Sequence, residues 1–135
     1  MFCLDTNIVI GIMTKRAPRL AARLRTEMAL RTRLFVPSIV LFELRYGAAK
    51  SEFPARSLAR INDFLVAIPE IPSFDALDAA EAGDIRAHLE GKGAPIGHFD
   101  YLIAAQARRR GAALVTLNRR EFERVPGLIV TDWAT

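Results

Sequence analysis

Short apolar runs, each cut off by a polar residue or proline and each followed by a stretch of helical period, recur along this chain and restrict the folds open to it. Phe2-Cys3-Leu4 stops at Asp5-Thr6-Asn7, and Ile8-Val9-Ile10 then opens a helix directly. Leu34-Phe35-Val36 is stopped by Pro37, and Ser38 reads as the N-cap of a helix running through Ala49. The stretch from Ala67 to Ile71, carrying Pro69 and bounded by Pro72, reads as a third strand; Ala113–Thr116 and Leu128–Val130 are the fourth and fifth. Between them Leu and Ala recur at helical spacing over Pro18–Leu30, 55–67, Ala76–Leu89 and His98–Arg110, the last ending at Gly111 in the usual C-terminal position. Runs this short and this continuously apolar suit strands buried on both faces, so the expectation is an α/β chain with a parallel sheet of about five strands, covered by helices and joined by right-handed crossovers.

The 135 residues are 51% hydrophobic and 25% charged, enough to bury the core of one domain and unlike a disordered chain. One cysteine, Cys3, leaves no intramolecular disulfide and no cysteine zinc cluster, and it fits a reducing compartment. No apolar run reaches the roughly 18 residues of a membrane span, and the N-terminus lacks the basic flank of a signal peptide; a cytoplasmic location is expected.

Charge is segregated. Lys15 to Arg33 holds seven bases and one acid, Glu70 to Asp100 holds seven acids and two bases, and the last third is basic again. Sixteen of the 19 bases are arginine, whose planar fork suits phosphate. Arg16, Arg19 and Arg23 share one helical face by their spacing, and with Arg119 and Arg120 they are the candidate contacts to a phosphate backbone, solvated helix faces being the alternative reading.

Three carboxylates lie in apolar surroundings: Asp5 in Phe-Cys-Leu-Asp-Thr-Asn-Ile, Glu43 in Leu-Phe-Glu-Leu and Asp100 in Phe-Asp-Tyr-Leu-Ile. An ionised carboxylate left unpaired there costs several kcal/mol or takes up a proton. Parallel sheets place ligand sites beyond the carboxyl ends of their strands, where Asp5 and Thr116-Leu117-Asn118 both lie, and the helices bearing Glu43 and Asp100 begin at that same edge. Acids converging there call for a cation, and an all-oxygen set favours Mg²⁺ or Mn²⁺ over Zn²⁺. Taken singly, each acid also has an ordinary reading: Asp5 as a helix cap, Glu43 as half of an ion pair, Asp100 as a first-turn acid, and Asn118 as a turn residue. His98, two residues before Asp100, is a tempting general base, but its place at a loop–helix junction favours an ordinary surface reading. Tyr46 and Trp133 read as packing residues.

Asp5-Thr6-Asn7 after the first strand, Ser38-Ile39-Val40-Leu41-Phe42-Glu43-Leu44-Arg45-Tyr46-Gly47, Pro95-Ile96-Gly97-His98-Phe99-Asp100-Tyr101-Leu102-Ile103-Ala104-Ala105 and Leu114-Val115-Thr116-Leu117-Asn118-Arg119-Arg120-Glu121-Phe122 occur in this order, ending in Asp132-Trp133. In order and spacing they resemble the PIN-domain ribonucleases of the VapC toxin type, over essentially the whole chain. The resemblance implies a single PIN domain over 1–135 with a three-layer α/β/α fold. It further implies an Mg²⁺-dependent endoribonuclease that uses a metal-activated water, is neutralised by a VapB-type antitoxin and forms a homodimer. It places Asp5 and Asp100 on the metal, Glu43 in the acidic cluster, and Thr6 and Thr116 in support. Asn118 stands where many members of the family carry an acid; its carbonyl oxygen keeps it among the candidate catalytic residues, while the missing charge leaves open one metal ion in place of two, or a catalytically degenerate, binding-only PIN module. A phospho-receiver domain would need adjacent acids after the first strand and a lysine near the last; this chain has neither.

Overall fold

The computed structural model describes residues 1–134. Strand β1 (Phe2–Leu4) lies between β2 (Leu34–Phe35) and β3 (Ala113–Val115), and β4 (Ile129–Thr131) extends the sheet beyond β3. Every pairing is parallel, with Cys3 opposite Phe35 on one side and Leu114 on the other. Because the chain passes from β1 to β2 in one direction and later to β3 in the other, strand order reverses at the β1/β3 boundary. Consecutive residues Cys3 and Leu4, and likewise Leu114 and Val115, are fully buried, as they must be when helices cover both faces of a sheet.

The helices are α1 (Thr6–Met13), α2 (Pro18–Ala29), α3 (Ser38–Ala49), α4 (Pro54–Ala67), α5 (Ala76–Gly91), α6 (His98–Arg109) and α7 (Arg119–Phe122). The expected sequence of strands and helices is met apart from the short helix α7, which the sequence reading lacks, and with two further corrections. The described residues hold four strands, not five, because 67–71 does not join the sheet. That segment still runs beside β2: Val36 N–H donates to the Glu70 carbonyl at 3.0 Å and Ser38 N–H to the Pro72 carbonyl at 3.1 Å. Pro69 and Pro72 have no N–H to return, so the ladder stays one-sided. Second, Ser38 is the first helical residue and not the cap; its hydroxyl accepts from Phe74 N–H at 3.1 Å and ties α3 to the same extended segment. Gly111, at φ +66°, does occupy the left-handed position after α6.

The opposed charge blocks meet across the α5–α6 contact. Asp78, whose side chain has no exposed surface, takes 2.8 Å contacts from both Arg109 Nε and Arg110 Nη1; Arg109 also reaches Asp75, and Arg108 reaches Glu81 at 2.6 Å. Asp75 and Asp78 also form a complete capping box at the start of α5. Burial alone would raise the Asp78 pKa, but the hydrogen bonds from Arg110, Arg109 and Asp75 N–H outweigh it and hold the carboxyl at about 2. The arginine run 108–110 is therefore structural.

Candidate active site

The reversal of strand order opens a crevice at the carboxyl ends of β1 and β3. Asp5 follows β1 and caps α1, its Oδ1 accepting from Thr6 N–H at 2.8 Å, so the ordinary capping reading of this residue is correct as far as it goes. Its Oδ2 accepts from the buried Thr116 hydroxyl at 2.7 Å, across the strand boundary. Asn118 N–H donates in turn to Thr116 Oγ1 at 3.0 Å, which fixes that hydroxyl's direction. Thr6 Oγ1 donates to Glu43 Oε1 at 2.6 Å and holds the second acid against the first. Thr6 and Thr116 each orient one carboxylate.

Asp100 completes the approach from the first turn of α6. Its carboxyl is pushed up to about 6 by desolvation first, then by the charges of Asp5, Glu121 and Glu43, against a lowering hydrogen bond from Gly97 N–H. Asp5 is raised as well, by burial, with the Thr116 and Thr6 hydrogen bonds pulling the other way. The three predicted acids are therefore gathered in one field, and a fourth joins them. Glu121, on the four-residue helix α7, was not singled out in the sequence because an acid after two arginines reads as a solvated surface charge. Its signal is the spacing of three from Asn118, whose Nδ2 donates to Glu121 Oε2 at 3.0 Å. Asn118 so binds the fourth acid by its amide.

Oxygen donors of this kind suit a hard divalent cation. Asp5, Glu43, Asp100 and Glu121 supply the charge, although no three His, Cys, Asp or Glu side chains among the described residues close on one point as a finished ligand group. His98 is exposed and lines a cleft against α5 with Phe74, Arg86 and Tyr101, so it is not placed as a base for these acids. Half-exposed Phe42 and Phe99, each preceding a site acid, pack at 5.2 Å between ring centroids and form an apolar rim.

The candidate phosphate contacts divide. Arg23 pairs with Glu27 at 3.0 Å and lies over the Phe2 and Trp133 rings, Arg19 donates to the Ala134 carbonyl, and Arg119 pairs with Glu123 and Asp132. Arg16 and Arg120 are exposed and make no ion pair among the described residues. Arg16 borders a cleft shared with Leu117, and Arg120 precedes Glu121 in α7. Trp133 is packed as expected, at 5.3 Å from Phe2, whereas Tyr46 is exposed and stacks under Lys50 at 4.6 Å.

The PIN domain family model matches residues 2–128. A tRNA(fMet)-specific endonuclease VapC from Shigella flexneri is 42% identical over 98% of both chains. The chain is a PIN domain of the VapC family. Among solved structures, VapBC2 from Rickettsia felis, crystallised on a DNA fragment from its promoter, superposes on this PIN domain with a TM-score of 0.90 at 36% identity, covering 96% of each chain. DNA-bound VapBC from Salmonella typhimurium gives 0.89 at 40% identity, covering 98% of this PIN domain and 97% of that chain.

The raised Asp100 pKa has a measurable consequence for this PIN domain in EDTA. Between about pH 4 and 6 the unfolded chain has already lost the proton that folded Asp100 retains, so stability falls as pH rises through that window and levels off above it. Asp100→Asn is expected to abolish this decline and to raise the melting temperature at pH 8 by about 3–6 °C, discounted for the partial exposure of the carboxylate. Thermal melts from pH 4 to 8 check it; a variant less stable than wild type at pH 8 would make Asp100 a structural acid.

Proposed function

We propose that residues 1–135 act as a single PIN domain, an Mg²⁺-dependent endoribonuclease that serves as the toxin of a VapBC-type system in the cytoplasm. Mn²⁺ can substitute, a VapB-type antitoxin neutralises it, and the working form is a homodimer. The observation that carries this reading is the gathering of Asp5, Glu43, Asp100 and Glu121 around the strand reversal with no arginine or lysine paired to Asp5, Glu43 or Asp100 among the described contacts. The names of the relatives support it, and no described helix is long and apolar enough to cross a membrane.

Asp5 and Asp100 would hold the cation, with Glu43 and Glu121 completing the charge around it. When bound, the cation supplies a more acidic water and offsets charge on the scissile phosphate. Thr116 and Thr6 keep Asp5 and Glu43 turned to the cleft, and burial of Asp5 strengthens its electrostatic hold. The binding-only reading rested on Asn118; Glu121 restores the acid there and favours catalysis. Because relatives at 42% and 40% identity are named tRNA(fMet)-specific endonucleases, initiator tRNA is the first substrate to try. Protein freed of antitoxin should cut it with Mg²⁺ or Mn²⁺ and stop in EDTA; undiminished cleavage in EDTA would exclude the metal mechanism.

Docking is separable from chemistry. Arg16→Gln with Arg120→Gln is expected to reduce the salt slope of RNA binding by about 1.4–1.8, at about 0.7–0.9 counterions per phosphate. It should raise KM and leave kcat in place, because such contacts bind substrate and transition state alike. Filter binding across a salt series, with single-turnover cleavage alongside, measures both; an unchanged slope would make these two arginines plain surface.

A further inference from the structure

Two helices of this protein begin with an aspartate three residues after the cap, and the two caps are built differently. In α5 the box is complete: Asp75 accepts from Asp78 N–H, Asp78 accepts from Asp75 N–H, and Asp78 is neutralised by Arg109 and Arg110. In α6 no such box is built: Gly97 offers no side chain to the helix, and the Asp100 carboxylate lies against the Gly97 backbone in the field of Asp5, Glu43 and Glu121, with no ion pair among the described residues.

The glycine is not there for its backbone. Gly97 sits at φ −60° and ψ 149°, an extended conformation open to any residue, at an N-cap position where Ser, Thr, Asn or Asp would stabilise the helix. What a side chain would meet is the Asp100 carboxylate itself: a Cβ at residue 97 would stand 2.8 Å from Oδ2 and 3.4 Å from Cγ. Gly83, by comparison, has nothing within 4 Å of the same point.

We infer that Gly97 is a positioning residue for the cleavage reaction, its missing side chain leaving the space that the Asp100 carboxylate occupies in the acidic cluster. The atom in conflict is the free end of a flexible side chain, so the fold can absorb a methyl group at residue 97 by turning Asp100 away. Helix α6 survives such a change, and the cluster loses an oxygen donor. The inference rests on the metal-dependent reading above.

Gly97→Ala tests it, with Gly83→Ala as the control for exchanging glycine in general. Melting temperatures are recorded in EDTA and across an Mg²⁺ series without RNA, followed by single-turnover cleavage of RNA. Gly97→Ala should melt within about 4 °C of wild type in EDTA, since Gly-to-Ala at a cap changes stability by only a few tenths to about 1 kcal/mol. Its Mg²⁺ midpoint should rise about 10- to 100-fold, the usual cost of disturbing what orients a metal ligand, and cleavage at saturating RNA should fall alike with KM unchanged. Combining Gly97→Ala with Asp100→Asn should add no further loss of Mg²⁺ response beyond Asp100→Asn alone, because the glycine acts through that carboxylate. A wild-type midpoint and wild-type turnover in a folded Gly97→Ala protein would overturn the inference, as would additive losses in the double variant or a large drop in melting temperature in EDTA. If wild type itself shows no Mg²⁺ response, the metal-dependent reading fails first and takes this one with it.

Discussion

Asp5→Asn is expected to lower RNA turnover by more than about a hundred-fold, the rate equivalent of about 3 kcal/mol, while leaving the protein folded and able to bind RNA. The amide keeps an oxygen for Thr6 N–H, so the cap of α1 persists, and loss of a buried charge removes a desolvation cost. What disappears is the negative charge that Thr116 aims into the crevice from β3. The melting temperature in EDTA should therefore equal or exceed that of wild type, and its rise with Mg²⁺ should shrink by mass action on a weakened site. Single-turnover cleavage and thermal melts on one preparation measure both; a variant keeping more than about a tenth of wild-type turnover would show that Asp5 is only a helix cap.

Asp78→Ala should produce the opposite pattern, a large loss of stability with the site chemistry intact. Removing the acceptor strands two partly buried guanidinium groups and breaks the capping box of α5, and breaking a buried pair by deleting one partner costs about 3 kcal/mol or more. The pH dependence has a fixed sign. Asp78 is held at about 2 when folded, so its contribution is fully present above the unfolded value of 3.8 and is lost as pH falls through about 2. Urea unfolding at pH 7 and at pH 3 measures this. A loss below about 1 kcal/mol at pH 7 would mean that water satisfies Arg109 and Arg110 once Asp78 is gone.

These two aspartates show how far the one-dimensional pattern reaches. Asp5 was legible because an acid closing an apolar run is anomalous in any context, and the same anomaly marked Glu43 and Asp100. Asp78 was not, since an acid in a mixed helix looks solvated until Arg109 and Arg110 arrive from a helix 31 and 32 positions away. The partners of the arginines were hidden for the same reason. Spacing put Arg16, Arg19 and Arg23 on one face, but only the fold shows Arg23 turned onto Phe2, Trp133 and Glu27 and Arg119 tied to Glu123 and Asp132.

Local chemistry, then, determined the order of strands and helices, their approximate ends and the three acids set in apolar runs, because chain period, proline, glycine and burial cost act over a few residues. The tertiary structure alone decided that 67–71 stays outside the sheet, that Thr6 serves Glu43 and Thr116 serves Asp5, and that Glu121 joins the site from a helix of four residues. Each of these depends on which segments the strand reversal at β1/β3 brings side by side. Contacts spanning 37 residues for Thr6–Glu43 and 111 for Thr116–Asp5 are set by that topology, which no local period encodes.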